Sequence, residues 1–320
     1  MITVTKAPPY LAIQDVGRGG FLAAGVPRGG AMDSFAIQAA NLMVGNDSGS
    51  AALEWALGGG SLTFSHATSI ALAGATVRAT LGGRSVAPCT TVGVAPGDTL
   101  EIEQFATGRF LYVAVSGGVE VSALLGSRST YLPAHFGGFN GRLIKTGDQL
   151  QVGAAPVAAA DGFHCAAELM PRYDSDTVHV TRGPQAELFS ESAFQALSES
   201  THRISTTSDR TGYKIEGPSI GASPGSLPSE AACPGAIQVP GDGHPIILMA
   251  DAPTVGGYPK IAVVSAADMP IVAQRRPGEP LRFEVVTIEQ SQKAFRRRAT
   301  DLSAIAQLAA RARSARLLHM

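Results

Sequence analysis

Short apolar runs broken by Gly, Pro and Asp recur along the chain, and within most of them apolar and polar residues alternate. That period-2 pattern predicts strands. In the first half the runs are SLTFSHATSIALAG (61–74), ATVRATL (75–81), TLEIEQF (99–105) and RFLYVAV (109–115). In the second half they are TVHVTRGP, HRISTTSDRTGYKIEG, GAIQVP, HPIILMAD, KIAVVSA and LRFEVVTI. Helical signals are fewer. MDSFAIQAANLMVGND has Asp33 as its N-cap and Gly45-Asn46 as its stop. QAELFSESAFQAL reads as a helix broken at Ser190, which caps its second part. The end, SQKAFRRRATDLSAIAQLAARARSARLL, is helical, with Leu302, Ile305 and Leu308 at three-residue spacing.

One phrase recurs three times: PGDTLEI (96–102), TGDQLQV (146–152) and PGEPLRF (277–283). Each is a turn followed by a strand that buries its Leu face. The recurrence is too irregular for a solenoid and suits hairpins that re-enter a β-barrel core. An Ala/Pro-rich stretch at 153–176 is the best linker candidate. The expected organisation is a first β-barrel domain at 1–155, a second at 175–290, with exchange of strands between them left open, and a basic helix at 291–320.

Composition adds limits. With 320 residues, 45% hydrophobic and 16% charged, the chain fits a globular protein with two domains. The net charge of −1 gives no signature of nucleic-acid binding. Charge is uneven: from Glu289 on there are seven Lys/Arg and two Asp/Glu, a local +5 against −6 elsewhere. Such a tail fits a basic helix lying on an acidic body or on a partner protein. Cys89, Cys165 and Cys233 are dispersed, which suggests neither a disulfide framework nor a zinc site. No leader or membrane-length apolar run is read, so a cytoplasmic protein is expected. There is no phosphate-binding loop, and the nearest dinucleotide-like phrase, GRGGFLAAG (17–25), has Leu22 where the third Gly belongs. Ser116 in AVSGG lacks the leading Gly of a nucleophile elbow and reads as a turn. The dispersed histidines predict no metal site, and the absence of Met-Lys-Met predicts no covalently bound biotin on this chain.

Four stretches set polar groups against glycines: IQDVGRGGF running into GVPRGGAMD (13–33), AANLMVGNDSGSAALEWALGGGSLTF (39–64), SDRTGYKIEG (208–217) and GAIQVPGDGHPIILMADAPTVGGYPKIA (235–262). Together with LGSRST (125–130), FGGFNGRLIKTGD (136–148) and TRGPQ (181–185), their order and spacing resemble the biotin-dependent carboxyltransferase family, also called the allophanate hydrolase subunit 2 family. The resemblance runs from about residue 10 to 290 and implies a mainly β fold of two cyclophilin-like β-barrel domains, with a few short helices and a C-terminal helix outside it. The family includes the C subunit of bacterial 5-oxoprolinase, the carboxyltransferase domain of urea carboxylases and a protein that antagonises a sporulation-kinase inhibitor. The first implies a hydrolase of a cyclic amide that uses ATP, with the ATP site open to sharing with its partners. Those partners are the A and B subunits of 5-oxoprolinase, the B subunit resembling allophanate hydrolase subunit 1. The second implies carboxyl transfer to a urea-like amide, and the third a regulatory binding protein. In each enzyme reading the ligand is a small amide or lactam, with no nucleic acid and no membrane.

The residues offer candidates of matching chemistry. Arg18 beside Asp15 is either a surface ion pair or a guanidinium that receives a carboxylate or phosphate, oriented by Asp15. Glu54, in the apolar run AALEWALGG, is a buried structural carboxylate or a base, with Asn41 as its amide-reading companion in substrate binding. Asp209 and Arg210 are candidate catalytic groups of an inter-domain cleft. Lys260, entering the apolar strand IAVV, is either a corner residue snorkelling outward or a fixed cation that stabilises an oxyanion. In the second case Gly256 and Gly257 lend backbone N–H donors and Tyr258 closes the pocket.

Overall fold

A computed structural model of the chain describes residues 1–155, 161–221 and 227–317. Within it the chain is mainly β, with two barrel-like sheets and four α-helices among the described residues. It divides into two compact units. The first comprises Met1–Arg18, Asp33–Pro171 and the chain from Ala299 onward; the second comprises Gly19–Met32 and Arg172–Arg298. This differs from the sequence-based boundaries in three places. Residues 19–32 group with the second unit, the first unit extends to Pro171, and the terminal helix is divided at 298/299.

The first unit is built on a ten-stranded sheet. Its main path runs Tyr10–Gln14, Ala52–Ala56, Thr99–Val115, Gly60–Phe64, Ile2–Lys6, Gln149–Val152 and Val119–Glu120. Thr68–Leu81 pairs antiparallel with Thr99–Val115 over nearly its whole length. Two pairs of predicted runs have therefore merged into two long strands. Gly74, at φ +93°, ends no strand; the register shifts just beyond it and the strand continues, as a bulge allows. Trp55, Leu11, Leu62, Phe64, Leu100 and Val113 are wholly or almost wholly buried in the core, each burial worth about 1.5–3 kcal/mol. Helix α1 (Ser34–Met43) starts where Asp33 accepts the backbone N–H of Ala36 at 2.9 Å.

The predicted linker at 153–176 contains the boundary between the units, at Pro171/Arg172, but part of it is bonded to the first unit. Asp161 accepts the N–H of Gly93 at 2.6 Å, and Cys165 donates its N–H to the Cys89 carbonyl at 2.8 Å. These bonds pin the segment after 160 to the first unit, whereas 156–160 lie outside the described residues. The cysteines are free thiols; burial pushes Cys89 up to about 11 and Cys165 up to about 12.

In the second unit seven strands close a barrel: Thr177–Arg182, Lys260–Val264, Ala236–Gln238, Ile246–Leu248, Gly212–Glu216, His202–Ile204 and Pro280–Val285. Closure comes from the parallel pairing of Thr177–Arg182 with Pro280–Val285. Ser190 caps α2 (Glu191–Glu199) by accepting the Ala193 N–H. A short helix α3 (Met269–Gln274) precedes the last strand, and α4 spans Ile288–Leu317. The buried positions of α4 include Asp301, Ile305 and Ala309, a four-residue spacing, while Leu308 is exposed. Of the three apolar positions read from the sequence, Ile305 is buried, Leu302 is part-buried and Leu308 is exposed.

The recurring phrase has one structural explanation. In all three copies the acidic residue donates its backbone N–H to the carbonyl three residues back: Asp98 to Ala95, Asp148 to Lys145 and Glu279 to Arg276. Its carboxylate accepts the N–H of that same residue, at 2.9, 2.7 and 3.0 Å. The intervening Gly97, Gly147 and Gly278 lie at φ +88°, +92° and +81°, as the third position of a type II turn requires. The following Leu100, Leu150 and Leu281 are buried.

Candidate functional site

Each unit carries its own polar cluster. In the first, Asp15 is a hub. Its carboxylate accepts from Gly17 N–H at 2.8 Å, Ser127 Oγ at 2.7 Å, Ser129 Oγ at 2.5 Å and Arg128 N–H at 2.6 Å. The LGSRST motif is the segment that satisfies this carboxylate. Arg18 is 2% exposed, donates from Nη2 to the Ser129 carbonyl at 2.6 Å and lies 4.8 Å from the centroid of Phe136. Asp15 therefore positions Arg18 through Ser129.

Glu54 is completely buried between two neighbouring strands. Its Oε1 accepts from Tyr10 Oη at 2.8 Å and its Oε2 from Tyr112 Oη at 2.7 Å. Tyr112 Oη in turn accepts the backbone N–H of Asp33 at 2.8 Å. Burial, together with the charges of Glu54 and Asp33, holds the Tyr112 hydroxyl well above the usual phenol range. This chain of bonds ties the start of α1 to the sheet. Glu54 thus has a bracing role in the fold.

Asn41 is not its companion. The Asn41 Nδ2 donates to the carbonyls of Ile37 at 3.1 Å and Ser50 at 2.8 Å, while its Oδ1 accepts from Asn46 Nδ2 at 2.9 Å. Both ends of the amide are used to close the loop after α1.

In the second unit Asp209 lies at a turn. It is exposed, and its Oδ1 accepts the N–H groups of Thr211 at 2.8 Å and Gly212 at 3.2 Å. It shapes a tight turn, as Asp commonly does. Arg210 is held bidentately by Asp251, Nε to Oδ2 at 2.8 Å and Nη2 to Oδ1 at 3.0 Å, and also donates to the Gly30 carbonyl at 2.5 Å.

Lys260 is 3% exposed and opens the strand Lys260–Val264. Its Nζ donates to Glu230 Oε1, which also accepts from Gln185 Nε2 at 2.7 Å. Gln185 Oε1 accepts the backbone N–H of Lys260 at 3.1 Å. Gln238 is the cross-strand register partner of Lys260, so the two side chains share a face. It is 5% exposed, and its Nε2 has no hydrogen-bond partner among the described residues. Gly256 stands opposite Glu230 in a two-stranded ladder and lies against Gln238: a Cβ there would be 2.6 Å from Gln238 Nε2. The Gly257 carbonyl accepts from Leu227 N–H at 2.8 Å, and Tyr258 is half exposed. Lys260, Glu230, Gln185, Gln238 and Gly256 thus form one cluster: a buried cation, a half-exposed carboxylate and two amide side chains. The lysine's hydrogen bond holds the Glu230 carboxyl below the usual carboxylate range.

The family model for the carboxyltransferase domain, subdomains A and B, matches residues 24–285. The chain belongs to this carboxyltransferase family. It is 35% identical over 295 residues to the C subunit of 5-oxoprolinase from Escherichia coli (strain K12), covering 92% of this chain and 94% of that one. It is 33% identical over 298 residues to the Haemophilus influenzae protein of the same name, covering 93% and 95%. Among solved structures, that of K. lactis urea amidolyase superposes with a TM-score of 0.88 at 30% identity, over 95% of this chain and 20% of that protein. These relatives are enzymes or parts of enzymes by name. No helix among the described residues is long and apolar enough to cross a membrane, and no group of three or more potential metal ligands occurs among them.

Four residues of the second unit's clusters escape sequence reasoning. Gln185 ends the TRGPQ motif, and Gln238 and Asp251 lie inside the fourth Gly-rich stretch. The charges and glycines around them are the stronger signals, and a neutral amide or a common aspartate does not stand out. Glu230 lies outside every motif, and no local pattern marks it.

Proposed function

We propose that this chain is the C subunit of an ATP-dependent 5-oxoprolinase, opening 5-oxo-L-proline to L-glutamate together with the A and B subunits, the B subunit resembling allophanate hydrolase subunit 1. The observation that carries the reading is the 35% identity spanning 94% of a protein named as the C subunit of 5-oxoprolinase. The cluster geometry supports it. A lactam ring opens when water adds to its carbonyl carbon and the C–N bond breaks. The ring nitrogen then becomes the amine, and the carbonyl becomes a carboxylate. Such a substrate presents oxygens to bind, and Lys260, Gln185 and Gln238 present nitrogen donors on a rigid barrel.

ATP would drive the opening of the resonance-stabilised amide. The clusters offer no recognised cradle for a triphosphate: no phosphate-binding loop occurs in the sequence, and the Arg210 guanidinium is held by Asp251. ATP binding is accordingly assigned to the partner-containing complex, and no step on this chain runs through it. The test mixes the purified A and B subunits with this chain, 5-oxoproline and ATP. Glutamate above a control lacking this chain is expected; none would remove the reading. Lys260→Met should abolish most of that turnover while the complex still assembles.

The fold match to urea amidolyase favours a second reading, carboxyl transfer from carboxybiotin on a carrier protein to a urea-type amide. Carboxylated urea formed with a biotin carrier and carboxylase, but no glutamate from 5-oxoproline, would select it.

A further inference from the structure

The Lys260 cluster has an asymmetry. The cation is built in: Lys260 is 3% exposed, its backbone is pinned by Gln185, and its strand is part of the closed barrel. The anion is not. The Glu230 side chain is 44% exposed, and its segment is held by a two-residue ladder with Val255–Gly256 that stands apart from the barrel. The donors around Glu230 Oε1 are an ammonium and an amide Nε2; a second, buried amide Nε2, on Gln238, lies against Gly256, the ladder partner of Glu230, and has no acceptor among the described residues. A buried donor without a partner costs free energy that a ligand oxygen would recover. Three nitrogen donors of this kind match a carboxylate, whose two oxygens accept several bonds at once.

We propose that the Lys260–Gln185–Gln238 cluster is a carboxylate-binding site, and that Glu230 is its resting occupant, displaced when a substrate carboxylate enters. The inference rests on the reading of the cluster as the substrate-oxygen site and names what that site takes: a small amide carrying a carboxylate. 5-Oxoproline has such a group, whereas urea does not. Glu230 then neutralises a buried cation in the empty protein, which would otherwise be costly, and competes with neutral amides that cannot replace it.

The test uses the full chain alone and reads thermal unfolding. Glu230→Ala uncovers Lys260 and should melt below the parent protein. Adding 5-oxoproline or acetate should restore its melting temperature in a saturable manner, because a ligand that binds only the folded state stabilises it. 2-Pyrrolidinone, the lactam without the carboxylate, and chloride at the same ionic strength should not. The parent protein, with Glu230 in place, should need roughly ten times more carboxylate for an equal shift. The doubly substituted Lys260→Met/Glu230→Ala chain should show none. Glu230→Gln, which keeps the side-chain volume, carries the same test if the alanine variant does not fold. The proposal is overturned if neither variant shows a carboxylate-specific shift, if 2-pyrrolidinone acts equally, or if the shift persists without Lys260. These failures are separable from failure of the 5-oxoprolinase reading. Rescue by acetate with no glutamate formation in the three-component assay removes only the latter; turnover without rescue removes only the former.

Discussion

Tyr112 donates its hydroxyl proton to Glu54 at 2.7 Å from the directly opposite position on the neighbouring strand, with both side chains completely buried. The pair supplies an anchor that the N-terminus of α1 uses through Asp33. Tyr112→Phe keeps the ring and removes one donor to a buried carboxylate and one acceptor for a buried N–H. The expected loss is about 1–3 kcal/mol, read as a lower urea midpoint. The raised Tyr112 ionisation gives a second readout. The folded state keeps a proton that the unfolded state releases above about pH 10, so stability should fall as pH rises past that value. Tyr112→Phe should weaken that alkaline fall.

Arg210 and Asp251 are 11% and 3% exposed at their side chains, and they meet in a two-bond fork. Removing one partner strands the other charge in a poorly solvated position. Asp251→Ala should therefore cost about 3–5 kcal/mol. Arg210→Lys keeps the charge but loses the fork and the bond to Gly30, and should fall between the parent and Asp251→Ala. Equilibrium unfolding of the two variants beside the parent tests this order.

These two pairs show what is legible in the chain. Strand-forming runs, the Asp33 and Ser190 caps and the three turn phrases depend on residues close in sequence, and local chemistry fixes them. Glu54 is readable as buried from its apolar neighbours, but its tyrosine partners lie 44 and 58 positions away. Lys260 stands out as a lone cation entering an apolar strand. Glu230, thirty positions upstream, does not, because nothing local distinguishes it from a solvated surface carboxylate. Gly74 is ambiguous for a related reason: a glycine that ends a strand and one that bulges it look alike until the partner strand is known.

Two glycines beside the Lys260 cluster should respond differently to alanine. At Gly183 a Cβ would collide with the backbone of Lys260, Ile261 and Ala262, none of which can swing aside. Gly183→Ala should lose about 1–3 kcal/mol through forced backbone displacement. At Gly256 the obstacle is the tip of the Gln238 side chain, which can rotate away. Gly256→Ala should change stability by less than about 1 kcal/mol yet move a donor of the cluster, lowering turnover in the reconstituted complex. A variant with unchanged turnover would exclude Gln238 from substrate binding.

His202 carries the acid-side prediction. It is fully buried, its ring centroid is 5.5 Å from that of Phe283, and its Nε2 donates to the Leu197 carbonyl at 3.1 Å. Its Nδ1 has no hydrogen-bond partner among the described residues and lies against Gly217, so a proton there would find no acceptor among them. Burial accordingly depresses its pKa below 6.5. The sign follows from proton counting. Between the depressed folded value and about 6.5 the unfolded chain binds a proton that the folded protein does not, so stability rises with pH across that window. It is fully present above about pH 6.5 and is lost as pH falls toward the folded pKa. Unfolding free energies measured from about pH 7.5 to about pH 5 should show this decline. In His202→Gln, which cannot titrate, the overall level should be lower but the His-dependent part of the slope absent. An unchanged slope would mean that some other group governs acid stability in this range.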